Sequence, residues 1–282
     1  MNVQLSPAPA RLEIARVNDL IARAGALIFD VDGTLADTEE FHRRAFNAVF
    51  AAAGLVWWWN RGTYRELLRV AGGRQRMRAY AEREDPLLAK RPEFEDLLVA
   101  LHAAKTKRYD ASLREQPLPL RPGIVRLFDE ANVAGVRLAI ATTTTAANLD
   151  ALLEPAFGHA WRDRFAAGVS GSAIPRLKPA PDGYVEALRQ LKLDASECLA
   201  FEDSANGIRS ADAAGLAVIA TPTWYSLAES LPPTFVSLPH LGDPDHPLPK
   251  DAPGAPYVDL ARLREWHQLA VAHEPLGRAA CY

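Results

Sequence analysis

Short apolar runs alternate with amphipathic helical patterns along most of this chain. The runs are apolar throughout, which is typical of strands that are buried on both faces of a parallel sheet. We predict such strands at residues 26–29, 136–141, 165–169, 198–201 and 216–220. Helical patterns lie between them, at residues 124–134, 146–153, 183–191 and 204–214. Strands that alternate with helices in this way form a parallel sheet with right-handed crossovers.

A long stretch after the first strand lacks this alternation. Helical patterns dominate it, at residues 41–53, 63–70, 76–84 and 94–109, and turn signals separate them at Gly54, Gly72, Gly73 and Pro86. We therefore predict an α/β chain in which a parallel-sheet core is interrupted by an all-helical insertion.

The predicted organisation has four parts. Residues 1–24 form a polar, proline-containing lead with a short amphipathic segment around residues 14–21. The core comprises residues 25–38 and 115–230, and the helical insertion comprises residues 39–114. Residues 231–282 form a C-terminal extension, loop-like up to residue 256, whose last helical pattern (258–272) we expect to pack on the core.

Composition and charge exclude several classes of protein. The chain has 282 residues, 49% of them hydrophobic and 24% charged, which is average for a globular protein with a sizeable core. The net charge of −3 argues against a nucleic-acid coat or a membrane-surface protein, which need a basic excess. Cys198 and Cys281 give neither a disulfide framework nor zinc spacing. With no signal-peptide pattern and no apolar run of the roughly 20 residues that span a bilayer, we expect a cytoplasmic monomer that binds neither nucleic acid nor membranes.

Chemically active side chains follow the predicted strands at the points where the strands end. They are Asp30 and Asp32 after the first strand, the threonines at 142–145 after the second, Glu202 and Asp203 after the fourth, and Lys178 in a loop before a predicted helix. Because ligands bind at the carboxyl ends of the strands of an open parallel sheet, we expect all these groups at one rim.

This mixture of groups suits phosphoryl transfer, because a phosphoryl group is strongly negative and repels an attacking carboxylate unless cations neutralise it. Asp30, Glu202 and Asp203 offer the hard oxygen ligands that Mg²⁺ takes, and Lys178 adds a point charge. Asp30 can then attack phosphorus and form an aspartyl-phosphate. Asp32 can give a proton to the leaving group and later draw one from water.

Two further residues complete the predicted site. The Thr142 hydroxyl can donate to a phosphate oxygen, and Gly33 permits the tight turn that aims Asp30 and Asp32 at one point. Each feature also has an ordinary explanation when taken alone, since acids cap helices, threonines form turns and loop lysines are solvated. Bringing four acidic groups together without a cation would cost much free energy through repulsion and desolvation. The combination therefore favours a cation-binding active site over the ordinary explanations.

The same residues resemble the four motifs of the haloacid dehalogenase superfamily. The matching residues are DVDGT at 30–34, Thr142, Lys178 and the pair Glu202-Asp203, within a resemblance that covers about residues 24–225. It implies a Rossmann-like core with the helical insertion as its cap, a magnesium ion, Asp30 as nucleophile and Asp32 as acid and base. The metal ligands that it implies are the Asp30 carboxylate, the Asp32 backbone carbonyl and Asp203, with Glu202 close by.

Within the superfamily, the chain looks most like the CbbY-type phosphatases of the β-phosphoglucomutase-like branch. The matching segments are DVDGTLADTEEFH (30–42), AGGR (71–74), AKT (104–106), AIATTT (139–144), KPAPD (178–182) and EDS (202–204). Proteins of that kind remove the 1-phosphate from xylulose 1,5-bisphosphate, an inhibitory by-product of the carbon-fixing carboxylase. The resemblance thus implies a small sugar phosphate as partner and metabolite repair beside the Calvin cycle as role.

The resemblance also implies a set of substrate-binding residues. They are Asp37, His42, Gly73, Arg74, Lys105 and Thr143, of which His42, Arg74 and Lys105 match cap residues that hold the sugar and the distal phosphate. Lysine is as frequent at position 74 in such proteins, and glutamate is frequent at position 37. Arginine can bind a phosphate through two nitrogens where lysine cannot. Each cap residue could instead be an ordinary helix or surface residue.

Alternative functions remain open at this point. A phosphatase lets water reach the aspartyl-phosphate, whereas a phosphomutase with the same Asp30 and Asp32 excludes water and returns the phosphate to a reoriented sugar. The CbbY-like segments favour the phosphatase, and the exact sugar stays open. A binding protein without turnover should have lost Asp30, Asp32 or the metal-binding acids, and because all of them are present this alternative is disfavoured. The run at 57–59, three tryptophans, favours core packing or a cap wall over stacking on a sugar.

Overall fold

The computed structural model describes residues 25–227 and 230–272, and within them the chain forms a six-stranded sheet. The strands are β1 (Ala26–Phe29), β2 (Arg137–Ala141), β3 (Ala167–Val169), β4 (Cys198–Glu202), β5 (Ala217–Ala220) and β6 (Val236–Ser237). All neighbouring strands are parallel, in the order β3-β2-β1-β4-β5-β6. The predicted parallel-sheet core is confirmed. β6 lies in a stretch that was predicted to be a loop, and the predicted segment at 14–21 lies outside the described residues.

The described residues also contain ten α-helices. They are α1 (Glu39–Ala52), α2 (Arg61–Leu67), α3 (Gly73–Glu84), α4 (Pro86–Ala89), α5 (Phe94–Glu115), α6 (Ile124–Val133), α7 (Ala146–Phe157), α8 (Asp182–Leu191), α9 (Ala205–Ala213) and α10 (Leu260–Ala272). The turn predicted at Pro86 is instead the start of α4, because Asp85 caps that helix and proline is tolerated in a first turn. None of these helices is long and apolar enough to cross a membrane. The limits of the four predicted parts of the chain stay a prediction.

The strand register places the ends of three strands side by side. Phe29, the last residue of β1, is paired with Ile140 of β2 and with Phe201 of β4. The N–H of Asp30 still donates to the Phe201 carbonyl at 3.0 Å, so the next residues leave the sheet together. β2 and β4 lie on opposite sides of β1, so the direction in which strands are added to the sheet reverses at β1. A ligand site is expected at such a topological switch point.

Two apolar layers hold the helices against the sheet. In one layer the Phe29 ring stacks on Phe201 at 4.3 Å, and Phe128 of α6 packs edge-on against Phe29 at 5.0 Å. The other layer consists largely of small strand residues such as Ala139, packed with Tyr184 of α8. The strands are thus covered on both faces, as their continuous apolar runs indicated.

A separate apolar cluster forms the centre of the helical cap. Its aromatic members include Phe46, Trp57, Trp59 and Tyr64, with 4.6 Å between the rings of Phe46 and Trp59. Trp58 points outward and is 64% exposed. Core packing of the tryptophan run is therefore confirmed for Trp57 and Trp59 and wrong for Trp58.

One residue of the core loop after β5 belongs to this cap cluster. The Tyr225 hydroxyl donates to Glu40 at 2.5 Å, its carbonyl accepts from Arg65 at 3.3 Å, and its ring lies 5.8 Å from Tyr64. The neighbouring Trp224 lies 4.7 Å from the Arg65 guanidinium. Side chains therefore join cap and core in addition to the two chain connections.

The C-terminal extension packs on the core through α10. Leu263 and Trp266 enter the apolar layer that contains Phe29. Arg126 of α6 donates to the carbonyls of Gly242 and Val258, each at 2.9 Å. The extension thus covers an apolar face of the sheet that water would otherwise reach.

Candidate active site

A buried lysine joins two of the acidic residues that follow the strands. Lys178 Nζ lies 2.5 Å from Asp30 Oδ1 and 2.6 Å from Glu202 Oε1. Lys178 and Asp30 keep only 10% and 9% of their side-chain exposure, and Glu202 keeps 0%. One lysine therefore counters two carboxylates that β1 and β4 bring to adjacent positions.

Asp203 completes a cluster of three carboxylates. One oxygen from each of Asp30, Glu202 and Asp203 lies within 4.8 Å of the others. The Ser226 hydroxyl donates to Asp203 Oδ2 at 3.1 Å. Gly33 makes room for this approach, because its φ of +85° favours glycine and a Cβ there would collide with the Asp203 carboxylate.

Burial makes this cluster costly to ionise. It raises the pKa of Asp30 to about 7, although the charge of Lys178 acts in the opposite direction. Burial, and then the charges of Asp30 and Glu202, raise the pKa of Asp203 well above its ordinary value. A dication among the carboxylates would remove this cost, and hard oxygen donors are the ligands that Mg²⁺ prefers. The residues present therefore fit the predicted magnesium ion.

Glu202 is the least accessible member of the cluster. Its Oε1 accepts from Lys178 and from Tyr184, the latter at 2.7 Å, and its Oε2 accepts from the Asp203 N–H at 3.3 Å. The backbone of α9 lies so close that a Cβ on Gly207 would collide with the carboxylate. Glu202 therefore holds Lys178 in place, while Asp203 faces the cavity described below.

A second polar chain runs from the cap to Asp32. Lys105 Nζ lies 2.6 Å from His42 Nδ1, and His42 Nε2 lies 3.2 Å from Asp32 Oδ1. Because a lysine ammonium group only donates, His42 accepts at Nδ1 and donates from Nε2 to Asp32. Burial and the charge of Lys105 lower the pKa of His42, which favours this neutral form. The His42 ring also stacks on Tyr109 at 3.8 Å.

These contacts keep Asp32 ionised. Burial opposes its charge, but the His42 ring, the Thr38 hydroxyl at 2.7 Å and the charge of Lys105 hold the pKa of Asp32 below its ordinary value. Asp32 is therefore a hydrogen-bond acceptor in the free protein. It can donate a proton only after its pKa rises, and an arriving anionic phosphate would have that effect.

The threonine loop after β2 forms another wall of the site. Thr143, Thr144 and Thr145 line the cavity. Thr142 is buried, and its hydroxyl oxygen accepts from the Thr144 N–H at 3.2 Å. A hydroxyl that accepts in this way can still donate its own proton. The predicted role of Thr142 toward a phosphate stays a prediction.

A cavity of about 360 Å³ between cap and core brings most of the predicted residues together. Its wall includes Asp30, Asp32, Thr143, Lys178 and Asp203 from the core and His42, Gly73, Arg74 and Lys105 from the cap. Such a volume is typical of a site for a small molecule. Thr142 and Glu202 lie behind this wall.

Asp37 is a predicted substrate-binding residue that does not line the cavity. Its side chain is 71% exposed and lies 3.4 Å from Arg121 Nε. Arg121 is buried and donates to the carbonyls of Gly33 and Thr221. Asp37 thus pairs with Arg121 behind the loop that carries Asp30 and Asp32, and its predicted role in substrate binding stays a prediction.

The cavity wall also contains residues that the sequence patterns did not single out. They are Glu39, Arg76, His102, Asn148, Tyr225 and Ser226. The cap residues among them are brought in by tertiary packing, which leaves no local spacing to detect. Ser226 follows β5, so the rule that strand ends meet at one edge could have indicated it.

Comparisons with known proteins agree with this geometry. A family profile described as haloacid dehalogenase-like hydrolase matches residues 24–215. Protein CbbY, plasmid, of Cupriavidus necator is 51% identical over 244 residues, which cover 86% of this chain and 96% of that protein. Protein CbbY of Rhodobacter capsulatus is 50% identical over 202 residues, or 71% of this chain and 86% of that protein.

A solved structure is similar over most of the chain. It is a CbbY mutant from Rhodobacter sphaeroides in complex with xylulose-(1,5)bisphosphate, with a TM-score of 0.70 and 43% identity, covering 77% of this chain and 94% of that chain. The resemblance drawn from the motifs and the Rossmann-like fold with a helical cap are confirmed. The chain belongs to the haloacid dehalogenase-like hydrolases and is a phosphatase of that family.

Proposed function

We propose that this phosphatase depends on Mg²⁺, forms an aspartyl-phosphate on Asp30 and hydrolyses the 1-phosphate of xylulose 1,5-bisphosphate. One observation carries the proposal: a single cavity has a lysine-paired carboxylate on its core side and the basic residues Arg74 and Lys105 on its cap side. A substrate with a phosphate at each end matches this arrangement. The complex of the similar Rhodobacter sphaeroides protein with the same bisphosphate supports the choice.

Asp30 is the nucleophile in this mechanism. Lys178 orients its carboxylate through the 2.5 Å contact and offsets the repulsion of the incoming phosphate. A carboxylate oxygen attacks phosphorus, the P–O bond to the sugar breaks, and the sugar oxygen leaves with the bonding electrons. When bound by Asp30, Asp203 and the Asp32 carbonyl, Mg²⁺ supplies charge neutralisation.

Asp32 transfers the protons of both half-reactions. It gives a proton to the leaving sugar oxygen, and it then draws one from the water that hydrolyses the aspartyl-phosphate. His42 and Thr38 hold its carboxylate by hydrogen bonds of 3.2 and 2.7 Å, which fixes its direction toward the cavity. In the cell, such a reaction would serve metabolite repair beside the Calvin cycle, in the cytoplasm.

Release of inorganic phosphate tests this function. The wild-type protein would be assayed with Mg²⁺ and xylulose 1,5-bisphosphate, beside ribulose 1,5-bisphosphate and β-glucose 1-phosphate, and again after removal of metal with EDTA. Fast, metal-dependent release from the xylulose compound alone supports the proposal. Slow release from all three, with glucose 6-phosphate formed from primed β-glucose 1-phosphate, would identify a phosphomutase instead.

Truncation of Arg74 should weaken binding of the distal phosphate. We expect Arg74→Ala to raise KM for xylulose 1,5-bisphosphate by about 10–100-fold, because one charge-assisted contact is worth about 1.5–3 kcal/mol. KM for p-nitrophenyl phosphate, which has no second phosphate, should change far less. Arg83→Ala, at the far end of α3 and outside the cavity wall, is the matched control. Equal effects on both substrates would refute the distal-phosphate role of Arg74.

The basic limb of the pH profile should report Lys105. Burial lowers the pKa of Lys105 to about 8, so this amine loses its positive charge as the pH rises through that value. Because the phosphates of the substrate are already ionised there, we expect kcat/KM for the bisphosphate to fall above about pH 8. Lys105→Arg keeps its charge and should remove this limb from the measured range. An unchanged limb in Lys105→Arg would assign it to another group.

A further inference from the structure

Arg121 is a buried arginine that the proposed mechanism does not use. It lies between α5 and α6, and its side chain keeps 8% of its exposure. A buried guanidinium costs free energy unless its charge and its donors are matched. Burial lowers the pKa of Arg121, and the charges of Asp37 and Asp203 oppose this shift. The contacts of Arg121 show what this buried cation holds in place.

Arg121 contacts the loop that carries the proposed nucleophile (the catalytic loop, residues 30–38) from behind. Its Nη1 donates to the Gly33 carbonyl, and its backbone N–H donates to the Leu35 carbonyl at 2.8 Å. Its Nε lies 3.4 Å from the Asp37 carboxylate. Because the catalytic loop leads from β1 to α1 and Arg121 lies between α5 and α6, these contacts join the two chain connections between core and cap.

The same guanidinium reaches two further segments of the chain. Its Nη1 also donates to the Thr221 carbonyl at 2.6 Å, and its Nη2 donates to the Pro239 carbonyl at 2.5 Å. Thr221 directly follows β5, and its N–H donates to the Glu202 carbonyl at 2.7 Å. Pro239 belongs to the C-terminal extension. One side chain therefore links the catalytic loop to the end of β5 and to the extension.

A displacement of the turn at Gly33 would reach the reacting groups directly. Gly33 lies so close to the Asp203 carboxylate that a Cβ would collide with it, and it follows Asp32, whose carbonyl is a proposed metal ligand. Reacting groups and ligands must be held within about 0.5 Å of their productive positions. A guanidinium presents five N–H donors in a rigid plane, whereas a lysine presents three from one atom. Lysine therefore cannot satisfy the same separated carbonyls.

We infer that Arg121 is a positioning residue for phosphoryl transfer. It fixes the catalytic loop from behind, so that Asp30 and the Asp32 carbonyl keep their places, and it does not line the cavity itself. This role rests on the proposed functions of Asp30 and Mg²⁺ and goes beyond them. It also gives the C-terminal extension a part in the site, because the Pro239 carbonyl helps to hold the guanidinium.

The test compares Arg121→Lys with Arg126→Lys. Arg126 is the matched control, because it donates to the carbonyls of Gly242 and Val258 in the same extension and, among the described residues, to none of the catalytic loop. kcat and KM would be measured with p-nitrophenyl phosphate, the Kd for Mg²⁺ by calorimetry without substrate, and Tm by thermal unfolding. We expect Arg121→Lys to lower kcat and to raise the Kd for Mg²⁺ by about 10–100-fold each, as on loss of a group that supports a metal ligand, with far less change in KM. Arg126→Lys should lower Tm alone.

Losses of kcat and of Mg²⁺ affinity that are confined to Arg121→Lys, well below the Tm of both variants, support the positioning role. A lower Tm alone, an equal loss of kcat in both variants, or a raised KM with unchanged kcat would overturn it. Should Arg121→Lys fail to fold, Arg121→Gln, which keeps a planar donor and buries no charge, carries the same comparison. A wild type that neither binds Mg²⁺ nor needs it would refute the proposed metal, and the kcat values of the two variants would still decide the role of Arg121.

Discussion

Asp30→Asn should abolish phosphate release, with kcat reduced by at least about 10⁴-fold, because asparagine offers no anionic oxygen to attack phosphorus. The substitution keeps the shape of the side chain. A neutral amide is also a poorer ligand for Mg²⁺ than a carboxylate, so metal affinity should fall as well. The measurement is steady-state phosphate release at saturating substrate and Mg²⁺. Activity within tenfold of the wild type would refute the nucleophile assignment.

The stability of the same variant should change in the opposite direction. Burial raises the pKa of Asp30 to about 7, so in the metal-free protein its ionised form is disfavoured by the fold. The folded state then binds more protons than the unfolded state, and this group costs stability as the pH rises toward and above 7. Asparagine carries no charge and avoids that cost. At pH 8 without metal, we expect the Tm of Asp30→Asn to equal or exceed that of the wild type.

Asp32→Asn separates the nucleophile from the acid and base. With p-nitrophenyl phosphate, whose leaving group needs little protonation, Asp32→Asn should release a burst of nitrophenolate that matches the enzyme concentration and then stall. Asp30→Asn should give no burst. Asp163→Asn, an exposed aspartate, is the matched control for both. A burst from Asp30→Asn would place the covalent intermediate on another residue.

The core half of the site could be predicted because its signals are local. Asp30 and Asp32 directly follow an apolar strand, Glu202 and Asp203 follow another, and a parallel sheet necessarily brings such strand ends together. The order of strands and helices in the sequence was therefore enough to predict that these four acidic residues lie close together. The structure adds that Glu202 faces Lys178 and the interior rather than the cavity.

No comparable rule predicts which residues of the helical cap reach the site. The contact of Lys105 with His42 joins residues that are 63 positions apart, and it depends on how α1 packs against α5. Only the family resemblance indicated these two residues. The same resemblance indicated Asp37. The structure pairs this exposed carboxylate with Arg121, 84 positions along the chain, and no sequence spacing identifies that partner.

Other residues of the cavity wall were not predicted, because their positions depend on packing between distant parts of the chain or on which hydrogen bonds their neighbours make. Tyr225 follows the last long strand, yet its ring packs within the cap cluster. Asn148 lies on the first turn of α7, a part of a helix where a polar residue is ordinary. That its Oδ1 has no hydrogen-bond donor among the described residues can be seen only once the neighbouring side chains are placed.

Lys178→Met should damage both activity and stability. The lysine contacts Asp30 and the fully buried Glu202, and methionine keeps much of its length without the charge. Removing one partner of a buried ion pair costs about 3–5 kcal/mol, because the remaining charge is left without compensation. We expect the metal-free variant to lose roughly 10 °C in Tm, as about 1 kcal/mol shifts a protein of this size by 2–4 °C. kcat should fall by about 10²–10³-fold, as on removal of one group that stabilises developing charge.

A second substitution distinguishes the charge of Lys178 from its packing. In Lys178→Met with Glu202→Gln, the buried carboxylate is neutral, so most of the lost stability should return, while kcat stays low because the phosphate still lacks its cation. The pH should act in the same sense. Without Lys178 the pKa of Asp30 is no longer lowered by that charge, so protonation relieves the repulsion, and the deficit in Tm should shrink from pH 8 to pH 5. Thermal unfolding of the three proteins at both pH values measures this. A deficit that is independent of pH, and that Glu202→Gln leaves in place, would mean that Lys178 stabilises the fold by packing rather than by its charge.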